Sequence, residues 1–94
     1  MIVSFCDEKT EKLFNGELIP KINNKLAQRV RRRLELLNAA HRIEDLYFPP
    51  SNRFHALEGF TPKRYTLWVN KQWRISFFWE QDNNAYDVCF EDYH

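Results

Sequence analysis

Glycine is nearly missing from this chain, with two in 94 residues, and proline contributes only four more. So few chain breakers exclude low-complexity and linker-rich architectures and predict ordered structure throughout. No apolar run approaches the roughly 20 residues that a membrane-crossing helix requires, so no membrane association is expected. The start, Met1-Ile2-Val3-Ser4-Phe5-Cys6, shows no basic segment ahead of a hydrophobic stretch, which argues against a signal peptide. Cysteine is scarce too. Cys6 and Cys89 are too few for a disulfide framework and lack metal-ligand spacing, so reduced thiols in a cytoplasmic protein are the simplest expectation. There is no glycine-rich phosphate loop, no paired-cysteine motif and no His-Glu-x-x-His, so any chemistry is expected to proceed without a metal or cofactor.

What the chain does have is apolar bulk: 44% of residues are hydrophobic and 16% aromatic. That supports one core and hence one domain over residues 1–94. Net charge is only +1, yet it is unevenly spread. From Lys21 to Arg42 there are seven basic residues against one acid, whereas Glu80 to His94 holds five acids and no Lys or Arg. A basic surface facing a polyanion is compatible with that neutral sum.

Periodicity divides the chain in two. Ile2 to Phe5 reads as a short strand. Asp7 can cap a helix from Glu8 to about Asn15, closed by Asn15-Gly16. Ile22, Leu26, Val30, Leu34 and Leu37 form one apolar stripe on a helix from about Asn23 to Ala40, with Arg29, Arg32 and Arg33 largely off it. Ile43 to Leu46 adds a turn before Pro49-Pro50. Beyond the prolines the period becomes two, giving strands at Arg53–Leu57, Tyr65–Val69, Trp73–Trp79 and Ala85–Glu91, with tight turns at Asn70-Lys71-Gln72 and Asp82-Asn83-Asn84. The expected architecture is α+β, two N-terminal helices packed on one face of a mainly antiparallel twisted sheet. The opposite face is left to hold a ligand.

The groups suited to proton transfer lie late in the chain. His41 sits at a helix C-terminus, where an imidazolium complements the dipole, so capping explains it. His55 lies in a short strand, and Asp92-Tyr93-His94 carry an acid, a phenol and an imidazole to the end of the last strand. Imidazoles exchange protons near neutral pH, and a carboxylate beside one can fix its tautomer. Arg74 points away from Trp73 and Ile75, towards the open face, where a guanidinium suits a phosphate gaining charge in a pentacovalent state. Its bland alternative is an ion pair with Asp87 or Glu91. Lys63 and Arg64 add cations at a strand edge, fit for a nucleic-acid backbone or merely for solubility.

The order of a basic helix, Phe54-His55-Ala56-Leu57-Glu58-Gly59, Tyr65-Thr66-Leu67-Trp68-Val69, Gln72-Trp73-Arg74-Ile75-Ser76-Phe77, Tyr86-Asp87-Val88 and a terminal Phe90-Glu91-Asp92-Tyr93-His94 resembles the HigB toxins of the RelE/ParE superfamily. The likeness spans nearly the whole chain. The Trp-Arg-Ile strand is common to much of the superfamily, while the His-x-Leu-x-Gly segment and the Glu-Asp-Tyr-His ending point to HigB. The resemblance implies the toxin of a type II toxin–antitoxin pair. It further implies a ribosome-dependent mRNA endonuclease acting on messages in the A site of the 70S ribosome. A helix-turn-helix antitoxin resembling HigA would silence it, and operator DNA would be met only through that antitoxin. Carried over, the family's catalytic positions fall on His55, Arg74, Asp92, Tyr93 and His94. Arg29, Arg32, Arg33, Lys63 and Arg64 are the candidates for RNA contact, with no metal and no cofactor.

One departure is local: where the family often has Pro-Leu-Lys-Gly after its histidine, this chain has Ala56-Leu57-Glu58-Gly59, an acid for a cation. Two other functions suit the same scaffold: a ParE-like toxin that inhibits a topoisomerase by binding, and a catalytically weak co-repressor acting with its antitoxin.

Overall fold

The computed structural model describes residues 1–93. Helix α1 spans Glu8–Phe14 and helix α2 spans Asn24–Ala39. Two single 3-10 turns, Ile43–Tyr47 and Pro50–Asn52, lead into strands β1 (His55–Leu57), β2 (Arg64–Trp68), β3 (Trp73–Trp79) and β4 (Ala85–Asp92). The strands form one antiparallel meander in the order β1-β2-β3-β4. These bounds lie close to those expected from periodicity, and the α+β architecture is as expected.

Side chains set the helix starts. The Asp7 carboxylate accepts from the Thr10 amide at 2.8 Å, and Asn23 Oδ1 accepts from the Leu26 amide at 2.8 Å. Each satisfies one of the amides that a helix N-terminus leaves without an intrahelical partner. Gly16, at φ +81°, takes the left-handed conformation that ends α1. Thr10 is also a tie to the sheet: its hydroxyl donates to Asp7 and accepts from the Phe90 amide at 2.9 Å, on the outer edge of β4.

The core lies between the helices and one sheet face. Val30, Leu34 and Leu37 from α2 and Leu13 from α1 meet Leu67, Ile75, Phe77, Val88 and Phe90, all essentially inaccessible to water. Burying each such side chain contributes about 1.5–3 kcal/mol. Trp73 packs on Phe90 with ring centroids 4.5 Å apart, so the alternation of β3 sends Trp73, Ile75 and Phe77 inward. Arg74, Ser76 and Phe78 consequently face outward.

Two expectations are corrected. Ile2 to Phe5 forms no named strand; it runs parallel to β4 through two isolated bridges, Ile2 to Ala85 and Phe5 to Val88. The interruption falls at Asp87, whose φ of 54° bulges β4 and turns its amide to Ser4 Oγ at 2.9 Å instead of a backbone carbonyl. The cysteines are not reduced thiols either. Cys6 and Cys89 form a disulfide across a Cα separation of 5.4 Å, because the edge alignment brings residues 83 apart in sequence face to face. Spacing along the chain carries no sign of that pairing.

Candidate active site

The outer sheet face is organised in rows, because register partners in antiparallel strands share a face. One row runs His55, Thr66, Ser76, Cys89 from β1 to β4. The next runs Trp68, Arg74, Glu91. Tyr93, two residues past Glu91, joins this face, and its ring lies 5.1 Å below the Arg74 guanidinium carbon. His55 and Arg74 are thus two strand spacings apart, roughly 10 Å, and one step along, roughly 7 Å, a gap that one nucleotide linkage and two side chains can bridge.

His55 is exposed, and its Nδ1 lies 2.7 Å from the Arg53 carbonyl oxygen. A carbonyl can only accept, so Nδ1 carries the proton and the neutral ring has its lone pair on Nε2. The tautomer is set by main chain, and Arg53 adopts the left-handed conformation (φ 46°, ψ 45°) that turns this carbonyl towards the ring. Among candidate groups, this one has the form of a general base.

Arg74 is mostly buried. Its Nε donates to Glu91 Oε1 at 3.1 Å, while its Nη groups make no hydrogen bond among the described residues. Of the two bland partners considered from sequence, Glu91 is the one found; Asp87 belongs to Arg64. Asp92 pairs in register with Trp73, which places its side chain on the helix side of the sheet, opposite Tyr93. There it accepts from Gln72 Nε2 at 3.1 Å. The His55 ring is therefore oriented by the Arg53 carbonyl and not by Asp92. Tyr93 continues the ladder beyond β4, its amide donating to the Gln72 carbonyl at 2.8 Å. His94 lies outside the described residues.

The basic candidates separate. Arg64 is not a surface cation: its side chain is 8% exposed and lies over Phe78. Its guanidinium bonds Ser76 Oγ at 3.1 Å, Asp87 Oδ2 at 3.0 Å and the Asp87 carbonyl at 2.8 Å. It closes the β4 bulge and is unavailable to a phosphate, a correction that follows from Asp87 leaving the ladder. Lys63 is exposed in the loop 58–63. On α2, Arg29 donates to the Val69 carbonyl at 2.7 Å and Arg33 to the Trp68 carbonyl at 3.2 Å, binding the helix to the end of β2. The Arg33 guanidinium is held below its ordinary pKa by burial first, then by Arg29 and Arg32. Arg32 is exposed. Three further residues adjoin this face without having been singled out from sequence: Arg53, Trp68 and Lys71, which with Tyr93 line a cleft of about 390 Å³. Strand alternation places Trp68 with Arg74, but Arg53 reaches that side only through its left-handed turn.

Two helices on one face of a four-stranded antiparallel meander, with this edge arrangement, define a RelE-like fold. A family model described as the RelE-like toxin of the type II toxin–antitoxin system HigB matches residues 3–94, and the chain belongs to that family. It is 39% identical over 84 residues to Toxin HigB-1 of Vibrio cholerae, covering 84% of this chain and 84% of that one. A Haemophilus influenzae protein named only as uncharacterized is 36% identical over 73 residues, covering 76% of this chain and 72% of its own. As a type II toxin the protein implies an antitoxin partner. No helix among the described residues is long and apolar enough to cross a membrane.

Proposed function

We propose that this toxin is a ribosome-dependent mRNA endonuclease in which the RNA supplies the nucleophile. In this reading His55 Nε2 takes the proton of a ribose 2′-hydroxyl, and the 2′-oxygen attacks the adjacent phosphorus. The pentacovalent intermediate gathers charge on its non-bridging oxygens, where Arg74 Nη groups stabilise it. The 5′-oxygen departs with a proton from Tyr93 or His94, leaving a 2′,3′-cyclic phosphate and a 5′-hydroxyl. The Asp92 carboxylate serves to orient a histidine, since such an acceptor fixes an imidazole tautomer. Arg29, Arg32, Arg33 and Lys63 hold RNA phosphates, Arg29 and Arg33 with donors left over from their backbone bonds. A HigA-like helix-turn-helix antitoxin neutralises the toxin in the cytoplasm.

The observation that carries this reading is the His55 ring, fixed by main chain with Nε2 presented on the face that bears Arg74 and Tyr93. The test is expression of the His55→Ala/His94→Ala double variant beside wild type, with 5′-end mapping of cellular messages. Wild type should arrest growth and cut messages in frame with their codons, and the double variant should do neither. Arrest that persists in the double variant points to a toxin that works by binding, as a topoisomerase inhibitor does, and overturns the nuclease.

A further inference from the structure

The cleft between Trp68 and Tyr93 has no task in the reaction described. Trp68 ends β2 on the outer face, as register partner of Arg74. Tyr93 lies on the other side of that arginine. Two aromatic rings thus flank the guanidinium assigned to the phosphate, and Arg53 and Lys71 complete the walls of a space of about 390 Å³. That volume falls within the range of small-ligand sites. The Arg53 guanidinium carbon sits 4.2 Å from the Trp68 ring centroid, so a flat cation already occupies the indole face. Neither Arg53 nor Lys71 pairs with a carboxylate among the described residues.

We propose that this cleft is a nucleobase subsite: a base of the RNA stacks on the Trp68 indole, and Arg53 and Lys71 hold the phosphate beside it. The assignment rests on the endonuclease reading and names where the substrate's neighbouring nucleotide goes. Bases and indoles stack through flat faces, and such stacking outweighs an exposed cation–π contact. An arriving base therefore displaces Arg53 from the ring, freeing its guanidinium for phosphate. Adjacent strands are about 4.8 Å apart, so a base on Trp68 belongs to a nucleotide next to the linkage at Arg74.

Arg53 also joins subsite to chemistry. Its left-handed backbone, a conformation costly for a non-glycine residue, sends the side chain over Trp68 and the carbonyl to His55 Nδ1. Movement of Arg53 on base binding is thereby felt at the imidazole. Stacking strength grows with the area of the π face, so the subsite favours purines beside the cut. An acidic peptide would also find the two cations, but it has no use for the rings.

The experiment pairs cleavage by Trp68→Phe and Trp68→Leu on programmed ribosomes with tryptophan fluorescence of the isolated protein titrated with a 2′-O-methyl purine trinucleotide. Of the other two tryptophans, Trp73 packs on Phe90 and both Trp73 and Trp79 pack against the core, so most of the quenching expected in wild type should vanish in Trp68→Phe. In cleavage, Trp68→Leu should raise KM about tenfold or more, and the purine enrichment at the flanking nucleotide should disappear. Trp68→Phe should retain much of both. Unchanged KM and unchanged base preference in a folded Trp68→Leu variant overturn the subsite while leaving the nuclease standing. Equal quenching by a polyglutamate peptide overturns it in favour of a protein partner. Trinucleotide quenching lost in Trp68→Phe, from a wild-type protein that cuts no message, keeps the subsite and removes the nuclease.

Discussion

Replacing Arg64 by methionine separates two roles for one residue, substrate contact or internal strut. In the folded chain its guanidinium bonds Ser76 Oγ, the Asp87 carboxylate and the Asp87 carbonyl, with a further long bond of 3.4 Å to the Ser76 carbonyl. Methionine keeps most of the stem's packing on Phe78 but none of the donors. Asp87 is 50% exposed, so water replaces much of the lost ion pair and its electrostatic share is small. The larger loss comes from acceptors of Ser76, a fully buried residue, and from the Asp87 carbonyl; each unsatisfied group costs about 1–3 kcal/mol. Together these predict a destabilisation of about 2–4 kcal/mol, a large part of the roughly 5–15 kcal/mol expected for a domain of this kind. The melting temperature should fall by about 10–20 °C. Urea titration measures the change as a lowered midpoint at unchanged slope. Arg64→Lys should lose less, and Asp87→Asn least. A methionine variant within about 0.5 kcal/mol of wild type refutes the strut. Lost message cleavage with full stability returns Arg64 to the RNA surface.

Arg29→Met and Arg33→Met should each lower stability by about 1–2 kcal/mol by releasing carbonyls at the end of β2, measured in the same titrations. Arg32→Gln should leave stability alone and reduce the salt dependence of ribosome binding by about one unit of slope; an unchanged slope excludes it from phosphate contact. For the disulfide, peptide mapping without reductant should recover Cys6 joined to Cys89. Reduction should cost about 4–5 kcal/mol, since the bond closes nearly the whole chain. Two free thiols in the native air-purified protein contradict it.

Much of the scaffold was legible because it rests on local rules. The Leu26–Val30–Leu34–Leu37 stripe needs only the helical period, Asp7 and Asn23 are caps by chemistry, and alternation in β3 alone sends Arg74 outward. Local rules thus set the two helices, the run of four strands after the prolines, the inward and outward faces and the candidate imidazole. Tertiary structure decided the pairings, which depend on register between distant segments. The bulge at Asp87 turned Arg64 from a surface cation into a strut, edge alignment closed Cys6 on Cys89, and a left-handed Arg53 gave its carbonyl to His55 and its side chain to Trp68. None of these has a periodicity, because each is set by where the backbone departs from regular geometry, and that departure costs local energy repaid only by contacts far along the chain.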